Sequence, residues 1–253
     1  MKPITFKDKT AVITGAGSGM GLLTSRELVR SGATVVMCDI NGEAIDAAAA
    51  ELNASGPGTA VPLAVDVRKF ADAERAAALA LEKTGRIDLV IPFAGGYEAR
   101  MCNSQVPFFE QPVDVIDWGI DVNLKGAVYF ARACMPAMVK GGNGGVICCL
   151  GSTSGFEGDV NGAMYGTAKS GLFTFVKALA LAGAPYGIRA FCVTPGPVMT
   201  RPGMAGMKTL LNTQAQPQEL VDYILYLCSE NGRCVTGSNH GMDCGRLTMK
   251  PQV

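Results

Sequence analysis

Short apolar runs and longer helical stretches alternate along the whole chain, and no other feature narrows its fold so far. The runs are Thr10–Thr14, Thr34–Asp39, Thr59–Val65, Ile87–Phe93, Gly145–Leu150 and Ile188–Thr194. Helical patterns fall between and after them, near 20–31, 41–54, 70–84, 112–140, 163–183 and 217–230, the last opening at Pro217 with Glu219 in its first turn. Strands spaced by helices in this way read as βαβ units. The runs are almost wholly apolar instead of alternating, as expected of parallel strands covered by helices on both faces. The expected fold is α/β: a doubly wound parallel sheet in a three-layer α/β/α sandwich. No repeat or low-complexity linker divides the 253 residues, and α/β folds of about 250 residues are often undivided, so 1–253 reads as one domain.

Composition supports that reading and removes several function classes. Apolar residues make up 48% and charged residues 17%, enough to bury a sheet on both sides. The 22 basic residues balance the 22 acidic ones without a run of one sign, so neither nucleic acid nor an anionic membrane is expected as a partner. The single histidine, His240, rules out multi-histidine metal sites and leaves one candidate for a Ser-His-Asp triad. Proton transfer is therefore expected from another side chain, and no metal is expected. The nine cysteines contain no C-x-x-C and lie mostly in apolar runs, which points to reduced thiols and a cytoplasmic location. The start lacks a continuous apolar signal region, and no run reaches about 18 uninterrupted apolar residues.

Two stretches resist assignment to an element. They are 95–111, with Gly95, Gly96 and Pro107, and 196–216, with Pro197, Pro202, Gly203 and Gly206. Both follow strands, and the ligand crevice of an open parallel sheet lies beyond the carboxyl ends of its strands. Both are expected to be substrate-binding loops.

After the first strand comes Thr14-Gly15-Ala16-Gly17-Ser18-Gly19-Met20-Gly21, then a helix. Glycines allow a sharp turn there, and the backbone N–H groups of the helix N-terminus suit a pyrophosphate. The spacing is G-x-x-x-G-x-G instead of the commoner G-x-G-x-x-G. Eighteen residues beyond Gly21, Asp39 ends the second strand with Ile40 beside it. A carboxylate at that place accepts hydrogen bonds from both hydroxyls of an adenosine ribose and repels a 2′-phosphate. A helix N-cap or turn is the competing role for Asp39.

Tyr165 and Lys169 stand at i and i+4 of one helix, within reach of each other. A neighbouring ammonium favours the phenolate, which makes Tyr165 a candidate general acid/base. The pair alone is a weak signal, since amphipathic helices carry it by chance. Ser152 closes a strand thirteen residues earlier, where its hydroxyl would face the same crevice and donate to a carbonyl oxygen. Ser154 competes with it on local sequence. Asn123 lies in a long apolar helix, where its amide must be hydrogen-bonded, and a structural kink is its rival reading.

Taken together these residues resemble the short-chain dehydrogenase/reductases of the ~250-residue subclass over essentially the whole chain. The resemblance rests on Thr14-Gly15-x-x-x-Gly19-x-Gly21, Asp66, Asn123, Ser152, Tyr165-x-x-x-Lys169 and Pro195-Gly196-Pro197-Val198-x-Thr200, in order. It implies a Rossmann-like fold and NAD as cofactor. It assigns the adenine amino group to Asp66 with Val67 beside it, the nicotinamide carboxamide to Thr200, and a water in a proton relay to Asn123 and Lys169. Lys169 would also hold the nicotinamide ribose, with Ala94, Gly95, Pro195, Gly196 and Val198 bordering the cofactor. It further implies a homotetramer paired through the helices at 112–140 and 163–183. Two departures stand out: Pro92-Phe93-Ala94-Gly95 replaces the family's Asn-Asn-Ala-Gly, and the stretch from Thr200 to 217 is shorter than usual. The first removes two side-chain hydrogen-bonding groups, which packing by Phe93 would replace; the second leaves little chain for a lid.

The expected reaction is NAD-dependent oxidation of a secondary alcohol or reduction of the ketone. Met101, Phe156, Met199, Met204, Met207 and Leu210, with Tyr97 and Val106, suggest an adaptable apolar pocket. The charges nearby, Glu98, Arg100, Glu157, Asp159, Arg201 and Lys208, are mixed in sign. A bulky, uncharged, ring-containing substrate such as a hydroxysteroid follows, unless those methionines pack in helices or at a subunit contact. A 3-oxoacyl-[acyl-carrier-protein] reductase is the first alternative, opposed by Asp39. A non-catalytic dinucleotide-sensing regulator is the second, and it would have no use for Ser152, Tyr165 and Lys169 together.

Overall fold

The computed structural model describes residues 2–249. Its centre is a seven-stranded, all-parallel sheet in the order β3-β2-β1-β4-β5-β6-β7. The strands are β1 (Thr10–Thr14), β2 (Thr34–Asp39), β3 (Thr59–Ala64), β4 (Leu89–Pro92), β5 (Gly145–Leu150), β6 (Ile188–Pro195) and β7 (Asn239–Met242). The helices are α1 (Gly19–Arg30), α2 (Gly42–Ser55), α3 (Phe70–Thr84), α4 (Glu98–Met101), α5 (Val113–Ile120), α6 (Gly126–Gly141), α7 (Ala163–Gly183) and α8 (Pro217–Cys228). The doubly wound three-layer sandwich is thus observed.

Side chains alternate across each strand, so the apolar runs feed two cores. Ala11 and Ile13 of β1 point with Leu28, Leu52 and Ile224 into the layer of α1, α2 and α8. Val12, between them, points with Ala76, Phe130 and Leu172 into the layer of α3, α6 and α7. Phe93 is buried in the first of these cores.

Three expectations need correction. The stretch 112–140 is not one helix: between α5 and α6 the chain makes a π-helical turn over Asp121–Lys125, with Gly126 N–H donating to the Asp121 carbonyl. Asn123 sits in that turn, so the kink and the bonded amide are the same feature. The stretch 95–111 is not all loop, since it holds α4 and a single 3₁₀ turn at Phe108–Glu110. The last strand, β7, was not anticipated; its Asn-His-Gly-Met carries no β-branched residue, and its pairing with β6 comes from tertiary context. His240 lies in it, its Nε2 2.8 Å from Ser238 Oγ, in the last strand of the sheet.

The order reverses between β1 and β4, because β2 and β3 lie to one side of β1 and the later strands to the other. In such sheets the switch point opens a crevice at the carboxyl ends of the strands.

Candidate active site

A cleft of about 550 Å³ opens at that switch point. Among its walls are Gly15, Ser18, Gly19, Met20 and Gly21 after β1, Asp39 and Ile40 after β2, Asp66 and Val67 after β3, Ala94 and Gly95 after β4, and Thr200 after β6. Twelve of the expected cofactor residues are therefore brought together. Gly17 stands just behind the wall, where its N–H donates to Asp39 Oδ2 at 2.9 Å. Pro195, Gly196 and Val198 are not among the cleft's walls: Val198 is buried, and a Cβ on Gly196 would come 2.7 Å from Asp243 Cα. Arg68, Phe93, Arg100, Met101, Trp118, Val122 and Leu150 also line the cleft, and sequence reasoning had assigned none of them to the cofactor.

The glycine-rich turn is built for close approach. Gly15 has φ +65° and passes so near Ala94 that a Cβ would stand 2.9 Å from its nitrogen. A Cβ on Gly21 would collide with the Gly15 carbonyl, so α1 packs directly on the turn. Gly19, with φ +53°, is the opposite case: a Cβ there meets no atom within 4 Å and projects into open space. Ser18 precedes α1 with no side-chain capping bond, so the first N–H groups of the helix stay directed at that space. An open helix N-terminus beside a glycine-walled space fits a dinucleotide pyrophosphate.

Asp39 does not cap α2. Asn41 does, accepting from Ala44 N–H at 3.1 Å. The Asp39 carboxylate takes one N–H on each oxygen, from Gly17 and from Asn41, and a carboxylate oxygen has a second lone pair to offer a ribose hydroxyl. Asp66 is held by Arg68, whose Nε and Nη2 lie 2.9 and 2.7 Å from its oxygens, and this bond keeps the carboxyl below its ordinary range.

At the end of β5, Lys169 is 4% exposed and donates to the Leu150 carbonyl at 2.8 Å. Its ammonium lies 5.5 Å from the centre of the Tyr165 ring. A Cβ on Gly95 would fall 3.6 Å from Lys169 Nζ and 2.6 Å from Asn123 Oδ1, so both side chains crowd the glycine at the cleft wall. Asn123 donates to the Gly96 and Gly119 carbonyls at 3.0 and 2.9 Å and accepts from Gly96 N–H at 2.8 Å. Below Lys169, burial pushes the Cys192 thiol up to about 11 and raises Cys149 as well, so these neighbours offer the ammonium no thiolate at neutral pH.

Ser152 starts the turn Thr153–Gly155, its Oγ accepting from Ser154 N–H at 3.1 Å. That turn packs along α7: a Cβ on Gly166 would stand 2.7 Å from the Ser154 carbonyl, one residue past Tyr165. Tyr97 also touches Tyr165, with ring centres 6.1 Å apart at 75°. Its hydroxyl donates to Asp159 at 2.6 Å, and burial with that bond raises it well above an ordinary phenol.

The three acidic residues of the supposed crevice charges are committed elsewhere, while Arg100 lines the cleft. Glu98 is 1% exposed and bonds the start of α7. Glu157 pairs with Arg246 at 2.9 Å, and Asp159 holds Tyr97. Of the apolar set, Met101 faces the cleft, while the exposed Phe156 stacks on Phe173 at 4.5 Å. The 196–216 stretch closes on itself, with Val198 bridging Ala215 and Gln214 donating to the carbonyls of Ala205 and Met207.

The sequence model of the short chain dehydrogenases matches residues 9–209. The chain is 28% identical to a 7alpha-hydroxysteroid dehydrogenase of Bacteroides fragilis, covering 98% of each. It is 33% identical to a trans-4-hydroxycyclohexanecarboxylate dehydrogenase of Sinomonas cyclohexanicum, covering 94% of this chain and 92% of the other. Its fold matches that of a carveol dehydrogenase from Mycobacterium avium in complex with NAD, with a TM-score of 0.89 at 25% identity over 98% of this chain and 100% of that one.

The volume beside Gly19 generates a prediction. A Cβ there meets no protein atom within 4 Å, so Gly19→Val is expected to cost the ~1–3 kcal/mol of a strained left-handed residue. NADH binding, followed by fluorescence titration, falls at least about tenfold, ~1.4 kcal/mol. Unchanged affinity would mean that the pyrophosphate lies elsewhere.

Proposed function

The chain belongs to the short-chain dehydrogenase family, and on that premise we propose that it is an NAD-dependent enzyme exchanging a hydride between nicotinamide and a secondary alcohol or ketone. The observation that carries this reading is the Lys169 ammonium, buried beside Tyr165 at the wall of the dinucleotide cleft. Asp39, Ile40, Asp66 and Val67 would hold the adenosine half, the turn from Gly15 to Gly21 the pyrophosphate, and Lys169 and Thr200 the nicotinamide half.

In the direction of alcohol oxidation, Tyr165 takes the hydroxyl proton at its phenol oxygen. The neighbouring ammonium stabilises the negative charge that Tyr165 needs for this, and a preorganised charge in a partly buried site acts strongly. Ser152 has its Oγ fixed by the Ser154 N–H and keeps its own hydrogen to donate to the substrate oxygen. Tyr97 is a poor rival base, since its raised phenol is committed to Asp159. Both amide hydrogens of Asn123 are taken by carbonyls, so its contribution is to hold the chain around Lys169.

The substrate class we propose is a bulky, largely uncharged ring alcohol or ketone, with a hydroxysteroid first. Support comes from Met101 at the cleft, from half-buried Met199, Met204 and Met207, and from the commitment of the acidic Glu98, Glu157 and Asp159 to other partners. Pairing of the α6 and α7 faces into a homotetramer and a cytoplasmic location complete the proposal. Among the described residues no helix is long and apolar enough to cross a membrane.

Replacing Tyr165 by Phe removes the proton carrier alone: turnover is expected to fall ~10²–10⁴-fold while NADH still binds. More than about a tenth of wild-type kcat in Tyr165→Phe, with Ser152→Ala inactive, would reassign the roles. Cofactor preference follows from Asp39, which faces a 2′-phosphate with repulsion; kcat/KM should favour NAD⁺ over NADP⁺ by at least about tenfold, or ~1.4 kcal/mol. Equal values would refute it. A panel of hydroxysteroids, cyclic alcohols, polyols and 3-hydroxyacyl thioesters tests the substrate. The best substrate should be a ring alcohol whose KM rises about tenfold in Met204→Lys or Met207→Lys; a thioester preference, or indifference to both lysines, contradicts the apolar pocket.

A further inference from the structure

Helix α7 carries Tyr165 in its first turn, yet its N-cap is Gly162, which has no side chain to cap it. The first N–H groups of a helix need acceptors from outside. Here they come from a residue 66 positions earlier: Glu98 Oε1 accepts from Met164 N–H at 2.8 Å, and both Glu98 oxygens accept from Tyr165 N–H at 3.1 Å.

We infer that Glu98 is a positioning residue for Tyr165, its buried carboxylate fixing the backbone of the catalytic tyrosine from outside the helix. This rests on the proposed role of Tyr165. At 1% exposure the carboxylate is cut off from water, and an unsatisfied charge there would be costly. The positive end of the α7 dipole and the two amides satisfy it. Tyr165 cannot shift along or away from the cleft without breaking those bonds.

Glu98 is itself held. Asn123 clasps both polar groups of the Gly96 main chain, two residues before it, and thereby fixes the start of α4. The close seating needs glycine on the opposing side: a Cβ on Gly119 would stand 2.6 Å from Met164 Cβ, and one on Gly162 would strike the Tyr97 ring. A second clasp runs in parallel, since the Asp159 oxygen that receives the Tyr97 hydroxyl also accepts from Asn161 and Gly162 N–H at 2.9 Å. The path from Asn123 through Gly96 and Glu98 to Tyr165 is continuous in hydrogen bonds and peptide bonds.

The test uses Glu98→Gln, which keeps the shape and one acceptor oxygen but loses the charge, and Glu98→Ala. On the fastest alcohol of the panel, kcat is expected to fall about ten- to a hundredfold, as for a misplaced catalytic group. KM and the NADH dissociation constant stay within about twofold. In the Tyr165→Phe background either substitution changes the residual rate less than about twofold, because its effect passes through the missing oxygen. Independently of turnover and cofactor, the ¹³Cζ resonance of Tyr165, assigned by its absence in Tyr165→Phe, moves in Glu98→Gln. A wild-type kcat with an unmoved resonance overturns the inference. So does an equal loss in both backgrounds, or a loss of kcat in both variants that merely tracks lost NADH binding and lost cooperative melting. If Tyr165→Phe itself turns over normally, the functional reading fails instead, and the resonance alone still decides whether Glu98 positions Tyr165.

Discussion

The Lys169 ammonium sits 4% exposed beneath the cleft wall, and a buried cation costs several kcal/mol unless its hydrogens find partners. The Leu150 carbonyl at the end of β5 supplies one, at 2.8 Å. That bond joins the last residue of β5 to a side chain in the second turn of α7. The thiols around the ammonium are kept neutral by burial, so no thiolate cancels its charge from below. Sheet order, helix placement and the proposed acid/base chemistry thus meet at one side chain.

The precision of that meeting comes from the stretch between β4 and α5. With the usual asparagine pair absent, Phe93 joins the core, and Thr14 Oγ1 accepts from Ala94 N–H at 3.0 Å to secure β1 to β4. Beyond it the chain turns over Asn123 and sends Glu98 back under the start of α7. A π-helical turn is a local loss of regular hydrogen bonding, and such turns are frequent at functional sites. Here the turn carries Asn123 to Gly96, so the irregularity in one helix orders the entry to another.

Much of this was legible in the chain. Apolar runs such as Thr10–Thr14 and Val35–Cys38 bury on both faces, which leaves a mark in every residue; a phosphate turn marks itself with closely spaced glycines. Tyr165 and Lys169 share a helix face, so their spacing alone joins them. Glu98 left no such mark, because its partners are main-chain amides 66 and 67 residues away, and it read as one more crevice charge. Glu157 and Asp159 misled in the same way, being paired with Arg246 and Tyr97. Strand β7 escaped because its four residues are paired by register with β6 and not by their own propensity.

The most direct test of the account follows one atom. A secondary alcohol of the ring class, deuterated at the carbinol carbon, is incubated with the protein and NAD⁺, and the dinucleotide is analysed by mass spectrometry. The account predicts one deuterium on the nicotinamide ring with the wild-type protein. Tight dinucleotide binding with no deuterium transferred from any alcohol tested would contradict it and leave a binding protein on a dehydrogenase fold.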